Sequence, residues 1–159
     1  MSQKFVQKLS PEKKKIRELK YQLYTHGNTI DNTWASLIID RNEGKTFLCG
    51  DEKFEEKNRI HLVAIIEGLN WIYNQVEQKY RKYIVVTLYC DNVYCVNILK
   101  EWLQIWIDTE TLESKPNCDL LKTLHEIINK MKIVPKWTTK TQNEYSWMVT
   151  KKASEIQEI

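Results

Sequence analysis

Over residues 18–25 the chain alternates, with Leu19, Tyr21, Leu23 and Thr25 set against Lys20, Gln22 and Tyr24, the two-residue period of a strand. Gly27, Asn28, Asp31 and Asn32 supply turn chemistry. Strands are then predicted at 33–40 and 45–50, around the hairpin signal Asn42-Glu43-Gly44. The period changes after that. From Lys57 to about Tyr80, apolar residues including Ile60, Val63, Ile66, Leu69, Ile72 and Val76 recur at three- and four-residue steps, which predicts one long helix. That helix is apolar around much of its girth. Residues 83–89 are almost continuously β-branched or aromatic and predict a central strand buried on both faces, with Asp91 directly behind it at the start of a helix. Helical spacing returns over 93–107, breaks across 108–116, and resumes over 118–131 behind Pro116 and Asn117. A short strand at 133–138 leads to a last helix at 143–156, and residues 11–15 read as a charged, helical or frayed lead-in.

Strand, helix and strand in succession require crossovers, so part of the sheet is parallel and helices cover both of its faces, an α/β architecture. With 159 residues and 42% hydrophobic content, one core and one domain are expected: a charged lead-in over 1–17, then a single domain over 18–159. No apolar run reaches a membrane span, and Lys4, Lys8 and Lys13 stand where a signal peptide would need an apolar core. The expectation is a soluble protein of the cytoplasm or nucleus with no membrane partner. Cys49, Cys90, Cys95 and Cys118 lack CxxC spacing, which argues against a zinc knuckle or a disulfide framework. A net charge of +3 does not mark a dedicated nucleic-acid arm. The lean toward Lys, Ile and Asn suits an AT-rich genome, as in a virus, a parasite or a mobile element.

The order of elements resembles the ribonuclease H fold, and local motifs strengthen the likeness. Tyr24-Thr25-His26-Gly27 is similar to that family's Tyr-Thr-Asp-Gly, and Lys57-Asn58-Arg59-Ile60-His61-Leu62 to its Asn-Asn-Arg-Met-Glu-Leu. Cys90-Asp91-Asn92-Val93-Tyr94 resembles Thr-Asp-Ser-Gln-Tyr, and Glu101-Trp102-Leu103-Gln104-Ile105-Trp106 the two-tryptophan helix behind it. Asn117-Cys118-Asp119-Leu120, Trp137 and Asn143-Glu144 fit the later elements, so the likeness covers roughly residues 19–156. It implies a five-stranded mixed sheet, three antiparallel strands followed by parallel additions, with helices on both faces.

The resemblance also implies a chemistry. The family sets four carboxylates around two Mg²⁺ ions that clamp an in-line phosphoryl displacement. Carried over position by position, those carboxylates fall on His26, His61, Asp91 and Trp147, and only Asp91 remains acidic. The family's mobile His-bearing loop corresponds here to Thr138-Thr139-Lys140-Thr141-Gln142, which has no histidine. The expectation is a degenerate site with no catalytic residues and no Mg²⁺ cofactor. Glu144 or Asp31 is the candidate substitute acid, although Glu144 also suits the helix dipole in the first turn of its helix.

Two readings follow. In the first, the chain is a pseudo-nuclease, a scaffold for an unidentified protein partner or for weak contact with an RNA/DNA hybrid or other nucleic acid. His26 or His61 then satisfies Asp91, and the Trp147 indole fills the space of the ions. In the alternative, His26, His61 and Asp91 form a facial site for Mn²⁺, Zn²⁺ or Fe²⁺ in an altered nuclease. Asn58 and Arg59 match positions that the family places near the minor groove of a hybrid and are the nucleic-acid candidates. Against binding, the family's basic protrusion falls on residues 108–115, which are net acidic. Lysines at 13–20 and at Lys136, Lys140, Lys151 and Lys152 read as a solvated surface or a replacement grip. Of the six tryptophans, Trp71, Trp102 and Trp106 are expected in the core; Trp34, Trp137 and Trp147 are the other indoles available for stacking.

Overall fold

A computed structural model describes residues 9–140 and 142–155. The first eight residues of the charged lead-in, Thr141 and the expected helix end at Ile156 lie outside the described residues. Helix α1 (Pro11–Arg17) starts at Ser10, whose hydroxyl accepts from the Lys13 amide, and carries Pro at its first position. Three strands follow, β1 (Lys20–Asn28), β2 (Thr33–Ile39) and β3 (Lys45–Asp51). Helix α2 (Arg59–Gln75) leads through a 3₁₀ turn (Gln78–Tyr83) to β4 (Val85–Cys90). Beyond it lie α3 (Val93–Asn97), a π turn (Ile98–Trp102), α4 (Leu103–Asp108), a short 3₁₀ turn (Leu112–Ser114), α5 (Cys118–Ile128), β5 (Lys132–Trp137) and α6 (Glu144–Glu155).

The strands form one five-stranded sheet in the order β3-β2-β1-β4-β5. β1 pairs antiparallel with β2 and β2 with β3, while β4 runs parallel to β1 and to β5. α2 packs on β1 and β2 from one face and α6 on the same strands from the other. The larger core lies under α2, where Leu62, Ile65, Leu69 and Ile72 meet Leu23, Ile38, Val86 and Leu88. A smaller one under α6 joins Tyr24, Leu37 and Ile39 to Val149 and Ala153.

Three expectations need correction. The helix predicted over 57–80 ends at Gln75, because Val76 turns extended (φ −99°, ψ 137°) and stays buried, so an apolar residue at helical spacing belongs to the turn instead. β4 is not buried on both faces: Val86, Leu88 and Cys90 are buried on the α2 side, whereas Val85, Thr87 and Tyr89 are only half-buried. The helix over 93–107 contains a π turn, a local widening of the ladder that periodicity does not resolve. Trp71, Trp102 and Trp106 are half-buried against the core and Trp34 is buried, but Trp137 and Trp147 are exposed.

At Gly27 the end of β1 lies close against the start of α2. A Cβ there would stand 2.6 Å from Ile60 Cγ2 and 2.9 Å from the His61 backbone nitrogen, and backbone cannot swing aside as a side-chain tip can. This contact sets how near α2 lies to the end of β1. Gly27→Ala should therefore lower stability by about 1–3 kcal/mol, the range for overpacking a well-filled site, read as a fall in the urea midpoint. An unchanged midpoint contradicts the assigned packing.

Candidate functional site

β1 and β4 run parallel with Thr25 opposite Cys90, so the next residue on each strand path, His26 and Asp91, emerges at the same end of the sheet. α2 crosses β1 at Gly27 and brings His61 in from above. His26 Nδ1 lies 2.7 Å from Asp91 Oδ2, and His61 Nδ1 lies 3.7 Å from Asp91 Oδ1. The two rings stand edge to face with centroids 6.0 Å apart. All three side chains are nearly sealed from water, with 6% of His26, 9% of His61 and 6% of Asp91 exposed. A carboxylate so placed needs a partner, and His26 supplies it.

His61 has a different task. The Gly27 amide donates to its Nδ1 at 3.2 Å, so that nitrogen carries no proton and presents a lone pair. The same lone pair faces Asp91 Oδ1, acceptor toward acceptor, and Oδ1 has no hydrogen-bond partner among the described residues. Burial pushes the His61 pKa down to about 4 from its ordinary 6.5; the nearby Asp91 raises it, and His26 and Lys140 lower it. The ring is neutral at pH 7.

The structure brings His26, His61 and Asp91 together, yet the tightest group of metal-type donors among the described residues is His61, Cys90 and Asp91, whose ligand atoms lie within 4.8 Å of one another. Cys90 was not singled out by the sequence. Its one signal was its place next to Asp91 at the end of a strand. Its side chain is sealed on the α2 face, where burial pushes the thiol up to about 12.

Trp147 does not plug this space. It is 52% exposed, and the α6 residues lining the cleft beside Asp91 are Ser146, Val149 and Thr150. Ser146 is buried, with its hydroxyl 3.4 Å from that of Thr138. Glu144 is exposed in the first turn of α6, and Asp31 sits in the β1–β2 turn, where Asn28 Nδ2 donates to it at 3.3 Å. Neither belongs to the donor group around Asp91.

Asn58 and Arg59, at the start of α2, are turned toward the protein. Asn58 is buried and accepts from Asn92 Nδ2 at 3.2 Å. The Arg59 guanidinium makes two hydrogen bonds to Asp119 at 2.9 and 3.0 Å, lies 3.8 Å from Glu52, and stacks near Phe54. A phosphate would have to displace these carboxylates. In the stretch 108–115, Asp108, Glu110 and Glu113 are exposed.

No family model matches the chain. Relatives do. It is 31% identical over 124 residues to a ribonuclease H of Pseudomonas putida (strain W619), covering 73% of this chain and 78% of that protein. The chain belongs to the ribonuclease H family. A ribonuclease H of Neorickettsia sennetsu is 30% identical over 91 residues, which span 55% of this chain and 56% of that relative. Among solved structures, the N-terminal RNase H domain of a Mycobacterium tuberculosis protein superposes with a TM-score of 0.62 at 11% identity, covering 86% of this chain and 94% of that one. A type 1 RNase H carrying the type 2 active-site motif gives 0.61 at 18% identity, covering 85% and 72%. The five-stranded mixed sheet expected from the resemblance is the family's fold.

Two measurements check the geometry. Because the unfolded His61 titrates near 6.5 and the folded one near 4, the unfolded state binds the extra proton between those values. Its contribution is complete above pH 6.5 and is lost as pH falls toward 4, by about 3 kcal/mol. Urea midpoints across that window should show the slope in the wild type and a flatter one in His61→Gln. Separately, His26→Ala strands Asp91 and should cost about 3–5 kcal/mol, whereas Asp91→Asn added to it should cost little more. Simple additivity of the two losses is the contrary result.

Proposed function

We propose that this ribonuclease H family member is a pseudo-nuclease, keeping the fold as a scaffold for contact with a protein partner, or weakly with nucleic acid, without cleaving it. The observation that supports this most is the buried hydrogen bond from His26 to Asp91, because it engages the carboxylate that a metal would need. A pair of Mg²⁺ ions calls for several hard oxygen ligands. The donors converging here are one carboxylate, two imidazoles and one sealed thiol, and this set does not fit such a pair. His61 also offers its Nδ1 lone pair to the Gly27 amide rather than to a cation. On the resemblance, His26, His61 and Trp147 stand where the family has acids, which agrees with the chemistry of the cluster. Nucleic-acid contact enters because relatives carry the name ribonuclease H and because one fold neighbour, a foamy viral protease-reverse transcriptase with a TM-score of 0.57 and 14% identity, was solved in complex with dsDNA.

The approach of His61, Cys90 and Asp91 favours a second reading, an altered nuclease using a softer ion such as Zn²⁺ or Mn²⁺ on Asp91 with His26 or His61. A cation that also took Cys90 would have to displace a proton from a thiol held near 12, and one that took His61 through Nδ1 would have to break the Gly27 contact. Both steps weigh against it.

One preparation separates the two readings. An RNA/DNA hybrid incubated with the protein in Mg²⁺, Mn²⁺ or Zn²⁺ should stay intact, and none of the ions should raise the melting temperature, since an ion bound only by the folded state stabilises it. Cleavage that Asp91→Asn abolishes would falsify the pseudo-nuclease reading. A Zn²⁺-dependent rise in melting temperature that Asp91→Asn removes would establish the altered site.

A further inference from the structure

The parallel register places the starts of β1, β4 and β5 at one end of the sheet, with Lys20 opposite Val85 and Val85 opposite Lys132, while Asp91 lies at the other end. The segments feeding those starts are basic. α1 contributes Lys13, Lys14, Lys15 and Arg17; the 3₁₀ turn contributes Lys79, Arg81 and Lys82; the starts of β1 and β5 add Lys20 and Lys132, and the α5–β5 connection adds Lys130. Glu12, Glu18 and Glu77 are the acids of these stretches, and Glu77 is paired with Lys15. Ten cations against three acids give these segments +7 in a chain of +3, leaving −4 for the rest. The bulk charge therefore hides a strong polarity. All ten cations are exposed except Arg81, which is half-buried.

Like charges crowd here because aromatic rings hold them. Arg81 and Lys130, from segments far apart in sequence, sit over the same Tyr73 ring at 4.4 and 5.3 Å from its centroid. Lys15 and Lys79 likewise share Tyr80 at 5.1 and 5.0 Å. Cation–π attraction offsets part of the mutual repulsion and ties α1, the 3₁₀ turn and the α5–β5 connection into one surface.

We infer that this end of the sheet, opposite Asp91, is a nucleic-acid binding surface that takes the phosphate backbone without reading sequence. Polyphosphate is the partner whose charge complements a continuous field of cations spread over adjacent strand starts. A lipid surface fits less well, since interfacial helices bury an apolar face, and the one apolar side chain of α1, Ile16, packs inward against the core. The inference goes beyond the pseudo-nuclease reading, because it concerns other residues and holds whether or not the Asp91 end cleaves.

The test is fluorescence anisotropy of the full chain with a labelled RNA/DNA hybrid duplex, across a salt series. Wild type should bind, with affinity falling steeply as salt rises. The triple variant Lys14→Glu, Lys79→Glu, Lys132→Glu should weaken binding at least about tenfold, since each phosphate contact contributes its own counterion release. A matched triple at the Asp91 end, Lys136→Glu, Lys140→Glu, Lys151→Glu, should change it less than about threefold. The same first triple made with Gln, checked for an unchanged urea midpoint, separates lost contact from lost folding. Equal loss in both Glu triples, no salt-dependent binding by wild type, or binding to phosphatidylserine vesicles without binding to the duplex overturns the inference.

Discussion

A carboxylate with 6% of its side chain exposed cannot stand alone, and the end of the sheet that carries Asp91 is arranged around that constraint. The parallel pairing of β1 with β4 delivers His26 to Oδ2, and the close crossing of α2 over Gly27 delivers His61 to Oδ1. The two imidazoles are not equivalent. One shares a short hydrogen bond with the acid, while the other is held neutral by burial and points its lone pair at the Gly27 amide. Oδ1 is left without a partner, so half of the carboxylate is satisfied and half is not. Such a site gains less from its polar groups than a complete network does.

On the proposed reading, this arrangement is what remains when a site built for cations loses its negative charge. A metal pair and several carboxylates neutralise one another; take away the acids, and the remaining carboxylate needs a partner from within the protein. His26 supplies one to Oδ2 through its hydrogen bond, and that contact needs no ion. The core under α2, from Leu62 to Ile72 against Leu23 and Leu88, is built of apolar contacts that do not include His26, His61 or Asp91. Scaffold and chemistry are separable here.

Much of the fold was legible because the apolar period changes cleanly from two to about 3.6 and back, and the strand before Asp91 could be placed from its β-branched run alone. The meeting of His26, His61 and Asp91 was legible only through motif likeness, since nothing in local pattern says that residues 35 and 30 apart share a cavity. Elsewhere tertiary packing adds what local pattern does not show. Val76 continued a helical period yet serves the core from an extended turn. Trp147 fell on a site position by alignment, yet the helix presents Ser146 and Thr150 to the cleft. Cys90 was hidden because a strand residue next to a site is normally turned away from it, and this one still comes within ligand distance of His61 and Asp91. Arg59 was a nucleic-acid candidate by position, but the acids that occupy its guanidinium come from α5 and from the loop before α2, which sequence adjacency does not show.

The central claim is that Asp91 is engaged by His26 and is not offered to a cation. Paramagnetic relaxation by Mn²⁺, followed on the backbone amide resonances of isotopically labelled protein at pH 7, tests it directly. The account predicts that the amides of His26, Gly27, His61, Asp91 and Asn92 broaden no more than those of exposed acids such as Glu110 and Glu113. Saturable broadening centred on Asp91 and abolished by Asp91→Asn would contradict it.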